Sequence, residues 1–384
     1  RAARANAISA FQTLSPRRQP WWLVGAAGIL SAFLILAFYT EVAAWVFAYI
    51  VRAASGSLRS TDPAVMTGAF QGLLSDPVQA LLWQWLVLAV VGVIIAAGVT
   101  AGIERTTRRL MPVLFGLLVV IGVRSLTLPG AAQGLAFLFL PDLSRLNAQV
   151  WLTAMGLSFF KLSVGMGTMM TYGSYFREDQ RIPSTAARVM LADLSVSLLA
   201  GVAIFPAVFS FGLKPDAGPA LLFITIPAVF AGMPFGQLFL TLFFVLAAIA
   251  ATGAMLSLLE VPVAALTERT RLTRPQATVV TVLLLALAGA PAALSSSLMA
   301  NVQIFGLTFF DLYDKATSNL LLPLGGLAIS LFAGWIWGKG EGLRRSLTSG
   351  GAEQPWVIVG LRWLLRVVTP ALVLVVLLHG LGLF

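Results

Sequence analysis

The sequence contains no cysteine, one histidine and few charged residues, and each scarcity excludes a class of chemistry. Without cysteine there is no disulfide, no thiol nucleophile and no thiolate ligand for a metal. The single histidine, His379, lies near the C-terminus, which excludes catalytic histidine dyads and metal sites with several histidines. We find no nucleophile–base pair, metal-ligand spacing or phosphate-binding loop, and we therefore predict neither an enzyme nor a bound cofactor.

The composition is that of a membrane protein. Apolar residues make up 59% of the 384 residues and charged residues 10%, with a mean hydropathy of +0.92. A soluble protein carries about 25% charged residues. The net charge of +10 does not indicate nucleic-acid binding, because no stretch is polar enough to form a soluble domain that would carry it. In a membrane protein, arginine in the loops reports topology instead.

Nine apolar runs have the length of a transmembrane helix, about 20 residues or more. They cover residues 22–52, 80–102, 110–128, 150–176, 187–212, 236–267, 275–296, 302–337 and 356–381. The run at 221–233 is shorter and contains Pro227, so we predict a re-entrant or capping segment there. The predicted fold class is an all-α polytopic membrane protein.

Basic residues mark every second connection between these runs. They are Arg17, Arg18, Arg105, Arg108, Arg109, Arg177, Arg181, Arg188, Arg269, Arg271, Arg274, Lys339, Arg344 and Arg345. Lysine and arginine are enriched in cytoplasmic loops, so this set predicts which end of each helix lies in the cytoplasm. The same alternation places the C-terminus outside.

The run at 150–176 is interrupted in its middle. Gly165 and Gly167 flank Met166 and weaken the helix, and Lys161 and Ser163 lie just before them. Glycines inside a span free backbone groups that only a cavity or a neighbouring helix satisfies. A charged side chain at the bilayer centre costs roughly 2.5–3.5 kcal/mol. A broken span with polar side chains at its break is typical of substrate sites in secondary transporters.

Four stretches resemble spans of the neurotransmitter:sodium symporter family, specifically its bacterial amino-acid branch. FFKLSVGMGTMMTYGSYF resembles the sixth span, ILSAFLILAFYTEVAAWVFAYI the third, LSLLEVPVAAL the eighth and FFDLYDKATSNLLLPLGGL the tenth. The resemblance implies an inverted-repeat transporter fold with broken helices, in which the nine predicted spans are numbers three to eleven of eleven. It also implies a multi-pass protein of the bacterial inner membrane.

On this mapping, residues 1–384 form a single transmembrane transporter domain. The first repeat is partial, at 22–128, the second covers 150–337, and an extra helix covers 356–381. Because the first residue is Arg1 and the first two spans of the family have no counterpart, we expect a chain that is incomplete at its N-terminus.

The resemblance also implies a set of substrate-binding residues. Tyr39 matches the tyrosine that hydrogen-bonds the substrate carboxylate, and Phe160 matches the aromatic lid over the substrate. Four further residues line the break: Ser163, Gly165, Met166 and Gly167. Unwound backbone and half-helix ends suit a zwitterion, and the flexible methionine accommodates apolar side chains.

The two sodium sites implied by the resemblance are altered in this chain. Lys161 stands where the family has threonine or serine, and Asp193 stands where it has asparagine or aspartate. An ammonium cannot ligate a cation, so we predict that Lys161 and Asp193 form an ion pair in place of the metal. The positions of the second site are Ala250, Gly253 and Ala254, which have no side-chain oxygen. Thr252 would supply one if the register differed by one residue.

Three residues match gates of the family. Asp314 matches the acid of the extracellular gate, Glu268 that of the cytoplasmic gate, and Tyr175 the tyrosine near it. Glu41 and Glu260 are further acids within the predicted spans. Hydrogen bonding inside the bundle accounts for them most simply, and a role in a proton relay stays open.

The sequence therefore predicts a secondary active transporter of an amino acid with an apolar side chain, working by ion-coupled symport and alternating access. Sodium is the ion that the resemblance implies, and the alternative is proton-coupled or ion-independent transport using the Lys161–Asp193 pair. A non-transporting amino-acid sensor and a carbonyl-binding protein with a Schiff base on Lys161 also remain open. The expected partners are the amino acid and the lipid bilayer, and a homodimer is left open.

Overall fold

The computed structural model is built of α-helices. It describes residues 1–16, 19–177, 180–212, 215, 218–337, 341–348 and 355–382. The described residues are 80% helical, and among them the extended pairing is a single bridge between Ile304 and Leu307. Arg17, Arg18 and Lys339, and the side chain of Arg345, belong to the basic set above but lie outside the described residues.

The helices follow one another with short connections. In chain order they are α1 (Ala7–Leu14), α2 (Trp22–Ala54), α3 (Pro63–Leu74), α4 (Pro77–Ala96), α5 (Arg105–Leu126), α6 (Ala131–Phe139), α7 (Ala148–Lys161), α8 (Thr168–Ser174), α9 (Ile182–Ser210), α10 (Ile226–Ala231), α11 (Gly236–Arg269), α12 (Arg274–Ala293), α13 (Phe309–Lys315), α14 (Leu322–Leu331), α15 (Glu341–Thr348), α16 (Pro355–Trp363) and α17 (Thr369–Gly380). π-Helical turns extend them at Val99–Glu104, Leu221–Thr225, Ala316–Leu321, Phe332–Ile336 and Leu364–Val368, and Leu143–Arg145 is a 3₁₀ turn.

Eight helical stretches among the described residues are long and apolar enough to cross a membrane. They are Trp22–Ala54, Pro77–Ala96, Val99–Leu126, Ile182–Ser210, Gly236–Arg269, Arg274–Ala293, Phe309–Ile336 and Trp356–Gly380. The ninth predicted span, 150–176, is divided between α7 and α8, with residues 162–167 unwound between them. The prediction of a broken span is confirmed, and neither half is long enough to cross a membrane alone.

The predicted limits around α4 and α5 are wrong. Helix α4 ends at Ala96, short of the predicted 102, because Gly98 has a φ of +102° and interrupts the helix. The next helical stretch starts at Val99 rather than at 110. Arg105 therefore lies within a spanning stretch, six residues after its start, and not in a loop.

The approach to α13 also differs from the prediction. The run 302–337 becomes helical only at Phe309, because Ile304 and Leu307 close a turn before it. The shorter apolar run forms the helical stretch Leu221–Ala231, which is too short to span a membrane, as predicted. This stretch packs on α3 and α11 and covers one end of the bundle.

Helices α2 and α11 form the centre of the bundle and pack along one another. Both hydrophobic clusters of the core draw on them: one contains Leu36 and Leu259, and the other contains Tyr49 and Phe244. The two helices have 33 and 34 residues. At about 1.5 Å per residue they are longer than a bilayer core about 30 Å thick. They therefore tilt or extend beyond it.

Glycine allows α1 to lie directly on α2. A Cβ atom at Gly25 would lie 2.5 Å from the carbonyl oxygen of Ala7. Because backbone stands in the way, we expect Gly25→Ala to lower the free energy of unfolding by roughly 1–3 kcal/mol. Gly68→Ala in α3 is the matched control, since no atom lies within 4 Å of its added Cβ. Thermal unfolding in detergent measures both, and equal melting temperatures would contradict this expectation.

Candidate functional site

The candidate site is the unwound segment between α7 and α8. Helical hydrogen bonding in α7 ends at Leu162, whose amide nitrogen lies 2.9 Å from the carbonyl oxygen of Ser158. Ser163, Gly165 and Gly167 then have φ angles of +55°, +87° and +78°. Glycine adopts these left-handed conformations at little cost, whereas serine rarely does. The backbone therefore reverses its helical course at the position predicted from the two glycines.

Close backbone contacts require both glycines. A Cβ atom at Gly167 would lie 3.3 Å from the carbonyl carbon of Gly28 in α2 and 3.2 Å from Cγ1 of Val261 in α11. A Cβ atom at Gly165 would collide with the carbonyl oxygen of Leu322 in α14. The unwound segment therefore lies directly on the backbone of α2 and α14, and it contacts a side chain of α11.

The segment leaves polar groups unused. Within the described part of the chain, the amides of Gly165, Met166 and Gly167 donate no hydrogen bond. Oγ1 of Thr168, at the start of α8, is buried and has no partner among the same residues. The side chain of Met166 is 2% exposed. Free donors thus lie beside an apolar wall, which suits a ligand with one polar and one apolar end.

Tyr39 and Phe160 border the same hydrophobic cluster of the core. Both pack against the hydrophobic cluster that contains Met166. The hydroxyl of Tyr39 has no hydrogen-bond partner among the residues that the structure describes. The Tyr39 hydroxyl, the Phe160 ring and Met166 of the unwound segment thus all border one hydrophobic cluster, and their joint role in substrate binding stays a prediction.

The ion pair expected between Lys161 and Asp193 is present. Nζ of Lys161, at the end of α7, lies 3.1 Å from Oδ2 of Asp193 in α9. The ammonium also donates to the hydroxyl of Ser197, which donates in turn to the backbone oxygen of Asp193 at 2.7 Å. The two charged side chains are 41% and 33% exposed. The pair is therefore only partly buried, and it lies beside the break of a spanning segment.

The predicted second ion site lies on an open face of α11. Ala250 and Gly253 line a cavity of about 690 Å³ between α11, α5 and α8, and Ala254 is exposed beside them. The Thr252 hydroxyl donates to the backbone oxygen of Ala248 at 2.7 Å and is buried. A shift of register would therefore not bring this threonine into the cavity. Ser257 is the hydroxyl that lines it, four residues further on.

The two predicted gate acids form local contacts. Oδ1 of Asp314 accepts a hydrogen bond from Ser318 at 2.9 Å. Oε2 of Glu268 accepts two hydrogen bonds from Asn6, from its backbone and side-chain nitrogens, both at 2.7 Å. Asn6 caps α1, so its hydrogen bonds to Glu268 link α1 to the end of α11.

Tyr175, which matches the tyrosine near the cytoplasmic gate, contacts Glu260. Its hydroxyl donates to Oε1 of Glu260 at 2.5 Å, and not to Glu268. Glu260 is fully buried and forms a two-pronged ion pair with Arg274, whose Nε also donates to the backbone oxygen of Ile95 at 2.9 Å. Arg274 therefore links its own helix, α12, to α11 through Glu260 and to α4 through Ile95.

Sequence reasoning missed three partners in these contacts. From the sequence, Arg274 is only a marker of topology. The sequence does not indicate that Ser197 contacts the ion pair or that Asn6 binds Glu268. An acid within a span signals that a partner exists, because unpaired charge inside a membrane is unfavourable. The partner itself depends on how the helices pack, which spacing does not reveal.

Comparisons with known proteins agree with this geometry. The chain matches the Sodium:neurotransmitter symporter family over residues 74–383. YhdH of Bacillus subtilis, described as an uncharacterized sodium-dependent transporter, is 39% identical over 382 residues, which cover 100% of this chain and 84% of that protein. An uncharacterized sodium-dependent transporter of Haemophilus influenzae is 36% identical over 346 residues, covering 88% and 76%. The crystal structure of MhsT in complex with L-phenylalanine matches with a TM-score of 0.89 and 38% identity, covering 99% of this chain and 86% of that chain.

The fold, the family match and the similar proteins are those of transporters, not enzymes. The chain belongs to the sodium:neurotransmitter symporter family. It is a multi-pass membrane protein with the transporter fold of that family, and the predicted resemblance is confirmed.

The buried ion pair gives a prediction for stability. Glu260→Gln leaves Arg274 without its counter-charge, and we expect the free energy of unfolding to fall by about 3 kcal/mol. The double variant Glu260→Gln/Arg274→Gln should recover part of this loss, since no buried charge is then left alone. Thermal unfolding in detergent measures both.

An exposed pair supplies the control for this prediction. Arg145 and Asp142 are 2.9 Å apart with side chains 85% and 53% exposed. Exposed pairs contribute little, so Asp142→Asn should leave the melting temperature unchanged. If Asp142→Asn and Glu260→Gln lowered the melting temperature equally, burial would not be what makes the Glu260–Arg274 pair stabilising.

Proposed function

We propose that this protein is a secondary active transporter of an amino acid with an apolar side chain, working by alternating access. The observation that carries the proposal is the unwound segment at 162–167, where unused backbone donors lie beside the buried side chain of Met166. Backbone donors and half-helix ends suit the charged groups of an amino acid. Met166 and Phe160 offer apolar surface for its side chain.

The comparison with MhsT supports an apolar substrate, because that structure contains L-phenylalanine and matches 99% of this chain. In our proposal the Tyr39 hydroxyl donates to the substrate carboxylate and the Phe160 ring closes over the substrate. The wall of the pocket is formed by Ser163, Gly165, Met166 and Gly167.

Tyr39→Phe tests the contact with the carboxylate. The substitution removes a hydroxyl without a partner among the described residues, so the fold should be unaffected. A hydrogen bond to a charged group contributes about 1.5–3 kcal/mol, so affinity for L-phenylalanine should fall roughly 10- to 150-fold. Titration calorimetry measures it. Tyr313→Phe is the control, since that hydroxyl already donates to the backbone oxygen of Ala288 at 3.0 Å. Unchanged affinity in Tyr39→Phe would refute the contact.

We further propose that the Lys161 ammonium takes the place of sodium at the first ion site. It already binds the Asp193 carboxylate that would ligate the ion. At the second site Ala250, Gly253 and Ala254 provide no side-chain oxygen. On this proposal transport is coupled to a proton or to no ion, whereas intact sodium sites are the family's expectation.

Lys161→Ser tests this ion assignment in full-length protein reconstituted in liposomes. Uptake of L-phenylalanine by the unsubstituted protein should persist without sodium, and should fall when a proton gradient is collapsed if the proton is the coupling ion. Lys161→Ser frees Asp193 and adds an oxygen donor, so it should introduce a response to sodium. Lys315→Ser, at an exposed lysine of α13, is the control. Loss of uptake on sodium removal, with no response to pH, would refute the proposal.

A non-transporting sensor is the second candidate, favoured by the same altered ion sites. It would bind L-phenylalanine without measurable flux, which the uptake experiment detects. The Schiff-base alternative receives less support, because the Lys161 amine is engaged by both Asp193 and Ser197. Absence of a visible chromophore in the purified protein would remove it.

The orientation is also a proposal. We place the basic ends of the helices in the cytoplasm and the C-terminus outside, in a bacterial inner membrane. Repeats at 22–128 and 150–337, with an extra helix at 356–381, belong to the same proposal, as does a homodimer. Asp314 then serves the extracellular gate, and Glu268 and Tyr175 the cytoplasmic one.

A further inference from the structure

Glu41 is a buried acid in α2 that the proposed amino-acid site does not use. The residue is 1% exposed. Oε1 accepts a hydrogen bond from Nε1 of Trp45, one helical turn later, at 2.5 Å. Oε2 is buried without a hydrogen-bond partner among the described residues. Buried polar groups nearly always have partners, so a second carboxyl oxygen without one requires an explanation.

The elements packed around α2 bring no counter-charge to Glu41 within the described part of the chain. Helices α1, α4 and α14 and the stretch Leu221–Ala231 contain no charged side chain. Most titratable groups on α2, α11, α12 and α13 are bonded to residues other than Glu41. These pairs are Arg52 with Ala69, Tyr49 with Phe223, Glu260 with Arg274, Glu268 with Asn6, Arg269 with Gln12, Asp311 with Thr308, Tyr313 with Ala288 and Asp314 with Ser318. Lys315, which is exposed, and the Tyr39 hydroxyl have no hydrogen-bond partner among the described residues.

An ionised carboxylate in this setting would be a buried charge with one neutral donor. Burial of an unpaired charge is strongly unfavourable, and a carboxyl group avoids it by binding a proton. The protonated group keeps its contact with Trp45 and needs no cation. Glu41 therefore holds a proton when the bundle has this conformation.

Trp45, the donor to Glu41, also belongs to a cluster that closes one end of the bundle. We define the outer aromatic cluster as Trp45, Phe70, Phe223 and Phe310. The Trp45 ring centroid lies 5.4, 5.8 and 5.9 Å from those of Phe70, Phe223 and Phe310, respectively. Phe70 and Phe223 stack at 4.9 Å. The four rings come from α2, α3, the stretch Leu221–Ala231 and α13, so these elements cannot separate without breaking the cluster.

We propose that Glu41 is a proton-binding site that is filled from the extracellular side when the outer aromatic cluster forms, and emptied when the cluster opens. Trp45 links the two events, because its indole N–H binds the carboxyl group while its ring completes the cluster. Once Phe223 and Phe310 leave Trp45, water reaches Glu41 and solvates its ionised form. Acid outside therefore favours the closed extracellular side and alkali the open one. The inference rests on the proposed transporter orientation and concerns a group separate from the Lys161–Asp193 pair.

A single introduced cysteine can report the opening. Thr225 is 6% exposed in the covering stretch, and the sequence contains no cysteine that would compete for a thiol reagent. Labelling of Thr225→Cys by a membrane-impermeant maleimide is measured on intact cells expressing the full-length protein, between about pH 5 and pH 9. The labelling rate is divided by the labelling rate of Thr225→Cys/Glu41→Gln at the same pH. This ratio cancels the effect of thiol ionisation on the labelling rate.

With one proton released on opening, this ratio should rise about tenfold per pH unit until the open form predominates. Glu41→Gln keeps the side-chain volume and an acceptor for Trp45 but does not titrate, and Glu41→Met is a second neutral variant in case one fails to fold.

Asp311→Asn removes a neighbouring exposed acid and should leave the slope intact. A ratio that stays constant with pH overturns the proposal, as does a slope lost equally in Asp311→Asn. The assay needs no amino acid, so failure of L-phenylalanine binding, which refutes the proposed function, is seen separately.

Discussion

The contact of backbone with backbone at residues 162–167 determines where the other functional groups lie. Gly167 meets Gly28 of α2, and Gly165 meets Leu322 and Gly325 of α14, with no side chain between them. Such contacts leave little room for adjustment, because atoms already at van der Waals distance cannot approach further. The end of α7 and the start of α8 are therefore fixed relative to the two helices, and a displacement of either helix moves the unwound segment directly.

The acids inside the bundle are accommodated in three different ways. Glu260 has a full counter-charge in Arg274 and a further donor in Tyr175. Asp193 has the ammonium of Lys161 but remains partly exposed. Glu41 has a single neutral donor. An unpaired buried charge is unfavourable. Glu260 has a counter-charge, whereas Glu41 has none among the described residues, which is why the proposed change of protonation is placed at Glu41.

The features that a membrane requires of a helix could be predicted from the sequence, whereas the contacts that depend on how the helices pack could not. Long apolar runs and the glycines of the broken span are direct requirements of a membrane helix and of its interruption, so both could be predicted. The end of α4 could not, because it depends on the φ of Gly98 rather than on hydropathy. The partner of Tyr175 could not either. Arg274 follows Glu260 by 14 residues on a different helix, and only the packing of α11 against α12 brings it to the buried acid.

The break in the span also separates two polar contacts that a continuous helix would tie together. Lys161 ends α7 and is bound to Asp193 in α9, whereas Tyr175 follows α8 and is bound to Glu260 in α11. In an unbroken helix a rotation that released one contact would strain the other, because both would belong to one rigid rod. Here the unwound backbone interrupts that rod, so the two contacts are not rigidly coupled through a helix. Separate formation of the two contacts is what the alternating access proposed above requires.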